Sequence, residues 1–166
     1  MARYSLGFQS KVMVAVADTV AMTTNGYAAF LQGGSATMQM KVNEVYIAGE
    51  SAASNPTTMA FGRDSTVGVT AITAVGNFNG LADASATAPA TIAIFGSGAT
   101  TNPQRSATLG HLLMPTLNTY GGIARWQARY GEEISTIGNT ASLGELSLSA
   151  VTGTGQVSGH LLYELC

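Results

Sequence analysis

From Ala124 to Tyr130 the chain alternates without a break. Ala124, Trp126, Ala128 and Tyr130 fall on one side, and Arg125, Gln127 and Arg129 on the other. A period of two marks a strand with one face on a core and one in water. Two more strand-like runs follow, Gly144 to Val151 and Val157 to Leu165, joined by the turn-rich Thr152-Gly153-Thr154-Gly155-Gln156. No apolar stripe with helical spacing persists beyond two turns, and no internal repeat is detectable. The C-terminal block, from Gly122 to Cys166, is therefore expected to be an antiparallel β module.

Upstream, the period of two recurs with one irregularity. In the strand expected over Ala36 to Glu50, Met38, Met40 and Val42 share a face opposite Gln39, Lys41 and Asn43, and the apolar parity then switches to Val45 and Ile47. A switch inside one strand predicts a bulge or a bend. Further strands are expected at Lys11 to Val16, at Tyr27 to Leu31 after the Asn25-Gly26 turn, at Thr58 to Gly62, along Val67, Val69 and Ala71, and at Thr91 to Phe95. Arg63-Asp64-Ser65 reads as a turn. His111 to Met114 precedes Pro115, which favours extended backbone. Met1 to Ser10, carrying Arg3, Tyr4, Leu6 and Phe8, reads as a first strand or as an arm laid on a neighbour. Gly76 to Gly110 is rich in Ala, Ser, Thr and Gly, with Asn102-Pro103 as an exposed loop suited to contacts or mobility. The sum is one all-β domain over residues 1–166, an antiparallel two-sheet sandwich. A jelly roll suits its long connections and parity switch; an immunoglobulin-like sandwich is the alternative, without that fold's Cys…Trp…Cys pattern.

Composition limits what such a domain does. A chain of 166 residues can bury about 70% of its unfolded surface, and 46% hydrophobic residues supply a core. Charged residues make up only 10%, against roughly 25% in an average domain. The surface must be built of small polar residues or be covered by other chains, and weak self-repulsion favours assembly. With a net charge of -2 and Lys11 and Lys41 as the only lysines, there is no cationic track for nucleic acid. Cys166 is the only cysteine, which rules out an internal disulfide and a cysteine zinc site. No apolar run approaches the ~18 residues of a membrane span. The short run from Val12 to Ala17 is cut by Asp18, so no secretion signal is expected either.

The chemical inventory is thin. His111 and His160 lack a neighbouring histidine, so neither suggests a cupin-like metal site; metal held through both would point to a cupin-like enzyme. Glu132 and Glu133, adjacent on a strand, would face opposite ways. Gly96-Ser97-Gly98 and Gly153-Thr154-Gly155 are turns without the Lys-Ser/Thr of a phosphate loop. These readings predict no enzyme and no cofactor. Trp126 is a core filler beside Tyr130 or else an anchor for a subunit or a sugar ring.

Several segments resemble small virion proteins of tailed bacteriophages. They are Met38 to Glu50, Met59-Ala60-Phe61-Gly62-Arg63-Asp64-Ser65, Gly131-Glu132-Glu133, Gly138 to Glu145, and the closing His160 to Leu165. The resemblance implies a capsid decoration, or cement, protein. It would be a jelly roll made in the host cytoplasm and seated on the virion surface, binding the major capsid protein and its own copies, as trimers for example. Such proteins have no active site to transfer. The candidate contact residues are Arg3, Tyr4 and Phe8, with Arg125, Gln127 and Arg129 on the polar strand face, besides Gly76 to Gly110. The alternative is a tail- or spike-associated module recognising host-surface carbohydrate, which predicts an exposed aromatic cluster around Trp126.

Overall fold

A computed structural model of the chain describes residues 3–23, 25–32, 37, 39–66, 77–81, 93–95, 102–136 and 144–166. These form twelve strands: β1 (Arg3–Val14), β2 (Tyr27–Gln32), β3 (Met40–Glu50), β4 (Pro56–Thr66), β5 (Asn77–Leu81), β6 (Ala93–Phe95), β7 (Gln104–Arg105), β8 (Thr116–Asn118), β9 (Tyr120–Gln127), β10 (Ile134–Ser135), β11 (Glu145–Thr152) and β12 (Thr154–Leu165). Two antiparallel sheets pack together as a β-sandwich. Sheet A runs β10-β3-β12-β1-β5, with β9 sharing the edge of β3 with β10; sheet B runs β6-β2-β11-β4-β7, with β8 sharing the edge of β4.

The pairing is nested. β4 pairs with β8, β3 with β9, β2 with β11 and β1 with β12, each antiparallel. Successive pairs, from innermost to outermost, belong alternately to sheets B and A. The chain is thus one long hairpin rolled so that its two halves alternate between layers. β5 and β6, from the stretch between β4 and β7, pair onto the outer edges of β1 and β2.

Burial follows the period-two pattern. From sheet A, Tyr4, Leu6, Phe8, Met13, Met40, Val42, Val45, Ile47, Leu161 and Tyr163 point inward; from sheet B, Ala29, Leu31, Met59, Phe61, Leu146, Leu148 and Ala150 meet them. Fully burying an aliphatic or aromatic side chain of this size contributes about 1.5–3 kcal/mol. The parity switch in β3 is a bulge: Val42 pairs with Tyr163 and Glu44 with Leu162, which leaves Asn43 as the extra residue. β1 is irregular between Phe8 and Lys11, where Ser10 has a φ of 52°.

Four expectations need correction. Tyr4 and Phe8 are only 4% and 2% exposed. Residues 3–10 form the inner strand β1 between β12 and β5, so these two rings fill the chain's own core and offer no surface to a neighbour. Arg63-Asp64-Ser65 is no turn, because β4 continues to Thr66 and Asp64 is fully buried. Tyr130 does not share the inward face of Trp126: β9 ends at Gln127, a turn closed by Glu132 N–H to Arg129 C=O follows, and Tyr130 is fully exposed. Pro103 is buried rather than part of an exposed loop. Met38, the run at Val67, Val69 and Ala71, and most of Gly76 to Gly110 lie outside the described residues.

The two outer faces differ. That of sheet B is covered by the chain itself. Met22 and Val16 pack on Tyr27 and Phe30, and residues 106–113 run along β4 through Ser106 N–H to Arg63 C=O, Arg63 N–H to Leu109 C=O and Phe61 N–H to Leu113 C=O. Gly62 and Gly110 touch there; a Cβ on Gly62 would come within 2.3 Å of the Gly110 backbone. No described segment covers the outer face of sheet A.

Candidate functional site: the open face of sheet A

At the middle of this face, β3, β9 and β12 place Glu44, Tyr46, Arg125 and His160 together. Register does this: Tyr46 lies opposite both Arg125 and His160, and Glu44 opposite Gln127. Arg125 donates to Glu44 Oε2 at 2.6 Å, and His160 Nε2 lies 2.8 Å from Glu44 Oε1. The Tyr46 and His160 rings stack at 5.2 Å. Burial pushes the Glu44 pKa up, but the hydrogen bonds from Arg125 and His160, with their charges, outweigh it and hold the carboxyl below its usual range. Glu44 is therefore an ionised, doubly bonded anchor, which suits a rigid recognition surface better than proton transfer.

At one end of the face the β3 bulge opens a groove of about 440 Å³. Beside Asn43 the edge of β3 changes partner from β9, at Glu44–Gln127, to β10, at Val42–Ile134. The intervening residues loop outward and carry Tyr130 to the rim. Arg3, Lys41, Asn43, Gln127, Glu133 and Glu164 line the groove, among others. Arg3 is ion-paired to Glu164 at 3.0 Å. The turn is tied down by Ala128 N–H to Asn43 C=O and Gly131 N–H to Glu133 Oε1. The backbone N–H groups of Gly131 and of Glu133 itself, with the charge of Lys41, hold the Glu133 carboxyl below the ordinary carboxylate range.

The opposite end carries exposed apolar side chains on its two flanking strands, with Glu50 opposite Tyr120 and Gln156 opposite Val12 on the strands between. Tyr120 and Ile123 on β9 are 63% and 65% exposed, and Val12 on β1 is 53% exposed, with Val14 beside it. Glu50 accepts a hydrogen bond from Ser10 Oγ. At the edge of the sandwich, Trp126 is half-buried against the core and lines a slot of about 290 Å³ with Val45, Ile47, Leu113, Met114 and Pro115. It is not part of an exposed aromatic cluster.

A second polar group lies beneath the cover of sheet B. Arg105 is 1% exposed and donates through Nε to Asp18, through one terminal nitrogen to Ser149 Oγ and through the other to the Val16 carbonyl. His111 Nε2 lies 2.8 Å from the other Asp18 oxygen. Burial raises the Asp18 pKa, but the hydrogen bonds and charges of Arg105 and His111 outweigh it, leaving a net lowering. Asp64 and Glu145, both fully buried, meet nearby. Arg105 is shut off from solvent, while Asp18 and His111 keep 27% and 25% of their side chains exposed; with all its bonds made internally, the group ties the covering segments to the sheet.

Of the residues singled out from sequence, Arg3, Arg125 and Gln127 share the open face, with Arg3 and Gln127 in the groove and Arg125 bound to Glu44. Arg129 is exposed on the turn beyond β9. The two histidines are on different sheets' outer sides, each with its own carboxylate, and among the described residues no group of three His, Cys, Asp or Glu could share a metal ion. Sequence reasoning missed Glu44, Tyr46, Asp18 and Arg105; the position of Glu44 beside the parity switch was the one available signal. Compared with family models, curated proteins and solved structures, the chain matches none.

Proposed function

We propose that this chain is a jelly-roll structural subunit of a tailed-phage virion, a decoration protein that docks on the major capsid protein through the Tyr120 and Val12 end of sheet A. The observation that carries the reading is the placement of Tyr120, Ile123, Val12 and Val14 at one end of the face that the chain leaves open. Exposed apolar side chains at one end of an uncovered face favour association. Nested pairing with alternating sheets supports the jelly roll, the architecture that the resemblance to virion proteins implies. Docking would bury this end across joints between shell subunits and so tie them together. Many identical copies supply avidity, so each contact can be weak, and the low charge lets copies sit side by side. Trimers and other self-assemblies belong to the same proposal.

The test is co-sedimentation of purified protein with capsid shells stripped of it, alongside mass spectrometry of purified particles. Binding to shells, weakened at least tenfold by Ile123→Glu with unchanged thermal stability, is expected. Absence from particles, or shell binding indifferent to Ile123→Glu and Tyr120→Ser, overturns the reading.

A further inference from the structure

The groove at the β3 bulge has features that docking on a shell does not use. It lies at the far end of sheet A from Tyr120 and Val12. Among the described residues, the side-chain amides of Asn43 and Gln127 have no hydrogen-bond partner, yet both line the same depression. The fully exposed ring of Tyr130 stands at its rim on a turn held by backbone hydrogen bonds. An aromatic ring with no packing partner, carried on a turn whose backbone is fixed, next to amides with unused donors and acceptors, is a surface suited to a ligand that is both apolar and hydroxylated.

We propose that this groove binds a neutral saccharide. Tyr130 would stack on the C–H face of a sugar ring, and Asn43 and Gln127 would each bond neighbouring hydroxyls through one donor and one acceptor. The volume, about 440 Å³, lies within the roughly 300–1,000 Å³ of small-molecule sites and leaves room for a short oligosaccharide. Charge argues for neutrality: Arg3 is paired with Glu164, Arg125 with Glu44, and Lys41 acts on Glu133, which leaves no surplus cation to draw phosphates or acidic sugars. Peptide recognition by strand addition is blocked, because the β3 edge here is already paired, by Gln127 at Glu44 and by Ile134 at Val42.

The test titrates isotope-labelled full-length protein with trisaccharides of glucose, galactose, mannose and N-acetylglucosamine, and with a galacturonic acid trimer as the charged control, while amide NMR shifts are read. At least one neutral trisaccharide is expected to shift the amides of Asn43 and residues 127–133. Tyr130→Ala should weaken it about tenfold and Gln127→Ala about fivefold, the loss of one stacked ring and of one hydrogen-bonding group. Ile123→Glu should leave it unchanged, so failure here and failure of shell docking are separable. No shift at these amides with any neutral trisaccharide, tightest binding by the acidic control, or binding indifferent to Tyr130→Ala overturns the proposal. A second arm asks whether fluorescent protein labels bacterial cells and is displaced by the best trisaccharide. Displacement supports the site and makes cell-surface polysaccharide the source; trisaccharide binding without cell labelling supports it for free saccharide.

Discussion

Ser147 on β11 donates through Oγ to Asp64 Oδ1 on β4 at 2.7 Å, beside the carboxyl of Glu145, and both carboxyls are fully buried. Burial pushes the Asp64 pKa up to about 7, against the opposing pull of Glu145, Ser147 and the Arg105 charge. The folded chain therefore keeps a proton that the unfolded chain has released. Between about pH 4 and about pH 7 the native state binds more protons, so stability falls as pH rises through that window. Thermal melts at intervals of pH should show a declining midpoint there, and Asp64→Asn should flatten the decline. Glu44 and Asp18 act with the opposite sign: their lowered pKa values add stability that is lost only as the medium becomes more acidic than the usual carboxylate range.

Arg105→Met should destabilise the fold by about 3 kcal/mol in chemical denaturation. Breaking a buried ion pair costs about 3–5 kcal/mol, and the low end applies because Asp18 keeps 27% of its side chain in solvent. Arg105→Lys should recover little, since one ammonium cannot reproduce the planar fork that reaches Asp18, Ser149 and the Val16 carbonyl at once.

Gly62→Ala should lift the segment that covers sheet B. Its new Cβ would meet the Gly110 carbonyl group, and overpacking of this kind costs about 1–3 kcal/mol. Trypsin reports the result, because Arg105 is inaccessible in the wild-type fold. Cleavage after Arg105 should become fast in the variant before any global unfolding.

Deleting Asn43 should abolish folding. The bulge allows both Val42 and Val45 to point inward. Without the extra residue, one half of β3 must present its apolar set to water. Turning out Met40 and Val42 alone forfeits about 1.5–3 kcal/mol each, comparable to the whole stability of many domains. Insoluble expression, or a denatured far-ultraviolet spectrum, is the expected outcome; Asn43→Ala should fold normally.

The sandwich was legible because β3, β9, β11 and β12 each alternate apolar and polar side chains, and the bulge was legible because Met40-Val42 and Val45-Ile47 differ in parity. The covered face of sheet B was not. Glu145, Ser147 and Ser149 alternate with Leu146, Leu148 and Ala150, a pattern identical to that of a strand with one face in water. Only the path of residues 102–115 turns that polar face into an interior, and this path depends on contacts between segments far apart in sequence. For the same reason Arg63-Asp64-Ser65 looked like a turn: local propensity carries no information about the lid above it. The open-face group was half visible. Arg125 and Gln127 stood out, but Glu44, which pairs with Arg125, is brought across by strand register.

The nested pairing also orders events during synthesis. β1 leaves the ribosome well before its neighbour β12, because ten of the described strands lie between them in sequence. β3 faces the same delay on its β12 side. Until residues 154–165 emerge, Leu6, Val45 and Ile47 have no strand between them to complete the sheet, while β4 and β8 can already meet. Such distant pairing makes folding slow and leaves edges bare. The nascent chain is thus an expected client for chaperones, and truncation within β12 should produce aggregation rather than a smaller folded domain.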